Sequence, residues 1–146
     1  MAHWLRRFIV LLGLVFSVHA SAEPDYSRYV ADIELQTQSQ LIELLVRAET
    51  LLLDGKIGQE GEAAVVLVLH GPVLRSLLKP NYSDSKVLVD RAATLSALGV
   101  LDIKACRSWM GKNDVDAEQL QPFVQTVSYG PGEVTRLIRE QGYITF

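Results

Sequence analysis

Ala63-Ala64-Val65-Val66-Leu67-Val68-Leu69 is an unbroken apolar run, with a glycine-bearing loop before it and His70-Gly71-Pro72 after it. Its apolarity is continuous rather than alternating. That pattern predicts a strand buried on both faces, as in a parallel sheet covered by helices. Upstream, Leu41, Leu44, Leu45, Ala48, Leu51 and Leu52 recur at helical spacing within 38–53, and Asp54-Gly55 supplies the stop. Before that helix, 29–35 reads as a strand.

Downstream, Pro72 and Pro80 bracket a short helix or turn around Val73–Leu78. Ser83, Asp84 or Ser85 is placed to cap a helix that carries Leu88, Ala92, Leu95 and Leu98 on one face, and Gly99 is the expected left-handed terminator. A strand over 100–105 follows, with Cys106 at its C-terminal end and Arg107-Ser108-Trp109 in the loop beyond. A short helix capped by Asp116 leads to a strand at 123–128. Gly130-Pro131-Gly132-Glu133 then opens a helix, with proline near the first turn and a carboxylate at the positive dipole end. A last strand is expected at 143–146. Strand and helix alternate throughout with short connections, which predicts one α/β domain around a mostly parallel sheet of about five strands. No internal repeat, linker or low-complexity tract interrupts it.

The first 22 residues read differently. Arg6 and Arg7 give a positive start, Phe8 through Val18 is almost wholly apolar, and Ala20-Ser21-Ala22 offers small residues for a signal peptidase. The run is too short to cross a bilayer as a helix, and no cysteine follows it for a lipid anchor. The expectation is a cleavable signal peptide over 1–22, a domain over 23–146 in the periplasm, and no membrane association after cleavage. Taking Arg6 and Arg7 from the 14 basic residues leaves 12 against 17 acidic ones, a formal charge of −5. A chain so acidic, without a Lys/Arg cluster, argues against nucleic-acid binding.

Cys106 is the single cysteine, so it can form no internal disulfide. It falls at a strand's carboxyl end, where open parallel sheets bind ligands. The thiolate is the reactive form of a cysteine, and nearby cations or helix amides favour it over the thiol. Arg107 and His70, which ends the preceding strand, are the candidate partners along with free amides of the turn. Against this, unpaired cysteines are often small core residues, and His70 before Gly-Pro can serve simply to end a strand. His70 is the only histidine after residue 22, so zinc sites needing paired histidines are excluded. Neither GxGxxG, GxxxxGK[ST] nor GxSxG occurs. Nothing in the sequence identifies a metal or organic cofactor.

Taken together, "VVLVLHG" at 65–71, "LGVLDIKAC" at 98–106, "LQPFVQTV" at 120–127, Gly130 and Gly142-Tyr143 resemble the DsrE/DsrF-like family in their order and spacing, and specifically its exported branch. The resemblance covers nearly all of 23–146. It implies a three-layer Rossmann-like or flavodoxin-like domain and a homo-oligomer, often a trimer or hexamer. It also implies a sulfur relay in which one cysteine carries a persulfide between a donor and an acceptor protein; that role transfers to Cys106 alone. Two readings stay open: a periplasmic sulfur carrier or sulfurtransferase, and a non-enzymatic oligomeric binding module in which Cys106 is a buried core residue. The loop after Cys106, "RSWMGKND", differs from that of the active carriers.

Overall fold

The computed structural model describes residues 26–59 and 61–146, so the expected signal peptide over 1–22 lies outside the described residues. Five strands form one all-parallel sheet: β1 (Tyr29–Ile33), β2 (Val65–Leu69), β3 (Leu101–Cys106), β4 (Val124–Val127) and β5 (Ile144–Thr145). Their order across the sheet is β4-β3-β2-β1-β5. Every residue of β2 is buried, as its continuous apolarity predicts. The helices are α1 (Gln38–Leu53), α2 (Tyr82–Ala97), α3 (Arg107–Lys112) and α4 (Gly130–Gln141).

The order follows from connection handedness. From β1 to β3 the chain steps in one direction, and right-handed crossovers then place α1 and α2 on the same face. The step from β4 back to β5 reverses that direction and sends α4 to the other face. The core is divided accordingly. Ala31, Ile33, Leu67, Leu69, Ile103 and Ala105 pack with Leu41, Leu45 and Leu88 on the α1/α2 face, while Val30, Val66 and Val68 meet Leu137 and Tyr143 on the α4 face. Among the described residues, no helix is long and apolar enough to cross a membrane.

Local chemistry accounts for most boundaries. Thr37 caps α1, its hydroxyl accepting from the Gln40 amide while the Gln40 side chain returns to the Thr37 backbone. Gly99 takes the expected left-handed turn at φ +71°. Two expectations need correction. The cap of α2 is not Ser83, Asp84 or Ser85: the helix starts at Tyr82 without a side-chain cap, and Ser85 is buried, accepting from Gln38 Nε2 at 3.1 Å. The segment after Cys106 is not a loop but α3, six residues held down by buried Met110 and half-buried Trp109. Barely two turns without a side-chain cap leave little periodicity to detect.

Candidate functional site

Alternation along parallel strands in register divides the side chains between the two faces. Leu69 pairs with Ala105 and both face α1 and α2. Their neighbours His70 and Cys106 therefore belong to the α4 face, at the carboxyl ends of adjacent strands. Above Cys106 the connections part: α3 returns over one face, where Met110 joins the core, and α4 leaves β4 over the other. Such a divergence is where open α/β sheets form their ligand crevices.

Cys106 is 3% exposed. Its Sγ accepts a hydrogen bond from the Gly130 amide at 3.3 Å, the first residue of α4. That N–H has no partner within the helix, and it lies at the positive end of the helix dipole. Glycine is what lets the turn sit so low. A Cβ at position 130 would come within 3.1 Å of Val68 Cγ1, 3.5 Å of Cys106 Cβ and 3.6 Å of the thiol. Pro131, next in the chain, removes an amide that would otherwise be free, so the amide ahead of it is the one directed at sulfur.

The other expected residues are placed nearby but turned elsewhere. His70 Nε2 lies 2.8 Å from Asp32 Oδ1 on β1, and Gly71 allows the turn after it to close against β1, where a Cβ would sit 2.9 Å from the Leu35 carbonyl. Arg107 Nε donates to Thr126 Oγ1 at 2.9 Å. Thr126 pairs with Ala105, so its side chain leaves the sheet on the face opposite Cys106. Neither the imidazole nor the guanidinium is a hydrogen-bond partner of the thiol. Ser108 Oγ, also in α3, donates to the Ser128 carbonyl at 2.9 Å and ties α3 to the connection that leads into α4.

Sequence reading missed a half-buried charge cluster directly below the thiol. Asp102 and Lys104 precede Cys106 on the same face of β3. Lys104 Nζ lies 2.6 Å from Glu133 Oε1 and 3.7 Å from Asp102 Oδ2, with Lys104 and Glu133 side chains only 13% and 12% exposed. Arg136 grips the same carboxylate through Nε at 2.9 Å and Nη2 at 2.8 Å. These bonds, Arg136 first, pull the Glu133 carboxyl down to about 2. Asp102 goes the other way: burial pushes its carboxyl up, against the opposing pull of Lys104. The sequence signal was present in the alternation of Asp102 and Lys104 within an otherwise apolar strand.

A groove of about 760 Å³ lies at the opposite ends of the strands, lined by Val89, Ala93, Leu101 and Phe123 among others. It opens beside the first residue of β3, whereas Cys106 is the last. Among the described residues, no three His, Cys, Asp or Glu side chains come together as metal ligands do.

No family model matches the chain, and no curated protein matches it. Among solved structures, a protein of unknown function from Methanobacterium thermoautotrophicum is similar at a TM-score of 0.65 and 20% identity, over 82% of this chain and 97% of that one. At that identity the likeness shows the fold: a parallel-sheet, Rossmann-like α/β domain.

Proposed function

We propose that this protein is a sulfur-handling member of the DsrE/DsrF-like family working in the periplasm, with Cys106 as the sulfur-bearing residue. The observation that carries the reading is the Gly130 amide directed at Cys106 Sγ from the first residue of α4, at the carboxyl end of β3. A backbone donor at a helix N-terminus stabilises a thiolate, the form that attacks sulfur. The thiolate attacks the outer sulfur of a persulfide or polysulfide donor. A new S–S bond forms at Cys106 as the donor's S–S bond breaks, and the donor leaves as a thiolate. A thiolate on an acceptor protein then takes the terminal sulfur by the same exchange and regenerates Cys106. No external oxidant or reductant enters either step.

Gly130, rather than His70 or Arg107, is the group in this reading that faces the developing charge. A homo-oligomer, trimeric or hexameric by family resemblance, is part of the proposal.

The burial of Cys106 favours a second reading, in which the thiol is a core residue and the protein an oligomeric binding module. Incubating the folded protein with polysulfide and reading its intact mass separates the two. Gain of one sulfur, absent in Cys106→Ala and reversed by an acceptor thiol, supports the relay. A thiol that takes up sulfur only after denaturation makes it a core residue.

A further inference from the structure

We infer that Lys104 and Glu133 are positioning residues that latch the first turn of α4 over Cys106, setting both access to the thiol and the contact between Gly130 and sulfur. The inference rests on the sulfur-handling reading for its biological purpose, though the latch itself is a property of the fold.

The thiol is 3% exposed, and the N-terminal turn of α4 is what lies over it. A reagent meeting Cys106 from that face therefore requires the turn to lift. Apolar packing holds the turn down weakly. In α4 the fully buried residues are Gly130, which has no side chain, and Leu137, two turns further along. Val134 is only partly buried. The close tie between the first turn and the sheet is ionic, from Lys104 Nζ on β3 to Glu133 Oε1 at 2.6 Å.

The neighbouring charges set the strength of that tie. Arg136 holds the Glu133 carboxylate from within α4, so the anion is fixed before it meets Lys104. Asp102, at 3.7 Å, offers Lys104 a second carboxylate on its own strand. When the turn lifts, Lys104 and Glu133 each keep a partner, Asp102 and Arg136. The cluster thus divides into two compensated halves, one on β3 and one on α4, and opening strands neither charge alone. A buried ion pair without such alternatives would strongly resist separation. Leu137, packed with Val30, Val66, Val68 and Tyr143, keeps the rest of α4 in place as a hinge base. Local openings of this kind draw on segments with few buried apolar contacts.

The test reads Cys106 alkylation by iodoacetamide against pH in the full-length protein and in Lys104→Met, Glu133→Gln and Arg91→Met. Arg91 pairs with Glu49 at 2.8 Å between α2 and α1, on the other face, and serves as the control. In both latch variants the high-pH plateau rate rises at least tenfold. In Arg91→Met it stays within twofold. Latch profiles that superimpose on wild type overturn the inference, and so does an equal rise in all three variants, which would mark general destabilisation.

Amide exchange in the wild-type protein decides the matter even if a latch variant fails to fold. The Gly130 and Glu133 amides are expected to exchange at least a hundredfold faster than those of Val66 and Ile103. Exchange of all four at one protection level overturns the latch. Persulfide formation enters neither measurement, so failure of the sulfur reading and failure of the latch remain distinguishable.

Discussion

The Gly130 amide stands 3.3 Å from Cys106 Sγ, and the absence of a side chain at 130 is the condition for it. A methyl group there would press on Val68 Cγ1 at 3.1 Å, closer than side chains ordinarily approach. Val68 is fully buried in β2 and has little room to yield. Gly130→Ala is therefore expected to lose about 1–2 kcal/mol of stability, as overpacking of a tight contact does. It also lifts the amide from sulfur, so the rate of Cys106 alkylation changes. Urea unfolding and alkylation kinetics on the same sample check both; an unchanged rate would detach the amide from the thiol's chemistry.

The Asp32–His70 pair leads to a negative expectation. The imidazole is committed to Asp32 at 2.8 Å, and neither side chain is fully buried. Partly exposed pairs of this kind contribute about 0–1 kcal/mol. His70→Gln is expected to change stability by no more than that and to leave the rate of Cys106 alkylation within about twofold, since a group that does not touch sulfur removes little by leaving. A tenfold slower reaction would restore the histidine as the thiol's partner.

Replacing Cys106 itself separates packing from chemistry. The side chain is small, so Cys106→Ala is expected to cost about 1 kcal/mol, the scale of one buried methylene-sized group. Under the sulfur-handling reading the variant folds and takes up no sulfur. A loss of several kcal/mol in thermal or urea unfolding would show that the thiol fills an exacting core position, in favour of the binding-module reading.

What sequence could and could not show divides along physical lines. β2 was legible because a strand buried on both faces must be apolar at every position, and α1 because Leu41, Leu45 and Ala48 form a stripe that recurs with helical period. The five strands and their parallel connections followed from the alternation of elements. Cys106 was found at its strand end for the same reason. Its partner was not, because the Gly130 contact joins residues 24 positions apart and depends on how far α4 descends toward the sheet. Sequence weighed side-chain cations beside the thiol; the structure supplies a backbone amide instead. Asp102 and Lys104 interrupt the apolar pattern of β3, but their pairing with Glu133 joins a strand to a helix 29 residues away and leaves no local pattern.

The two carboxylates around Lys104 have opposite linkage to pH, and this gives the sharpest test of the cluster. Glu133 is held down to about 2 by Arg136 and Lys104. A carboxyl depressed on folding contributes stability above its ordinary value near 4.5, and that contribution is lost as pH falls from about 5 toward 2. Glu133→Gln removes the charge and is expected to cost about 1.5–3 kcal/mol at neutral pH, the range for hydrogen bonds to charged groups. Its stability should then fall less steeply with acid than that of the wild type. Asp102 is pushed up by burial, so the native state holds its proton more readily than the unfolded chain. Its contribution is lost as pH rises through that raised range, which makes the ionised group a liability at neutrality. Asp102→Asn is accordingly expected to be neutral or stabilising at pH 7, with no loss beyond about 0.5 kcal/mol. Urea unfolding of both variants between pH 2 and 8 reads the two signs directly. Equal destabilisation by both at neutral pH would mean that the ionised Asp102 supports Lys104 as much as Glu133 does, against the upward push of burial on its carboxyl.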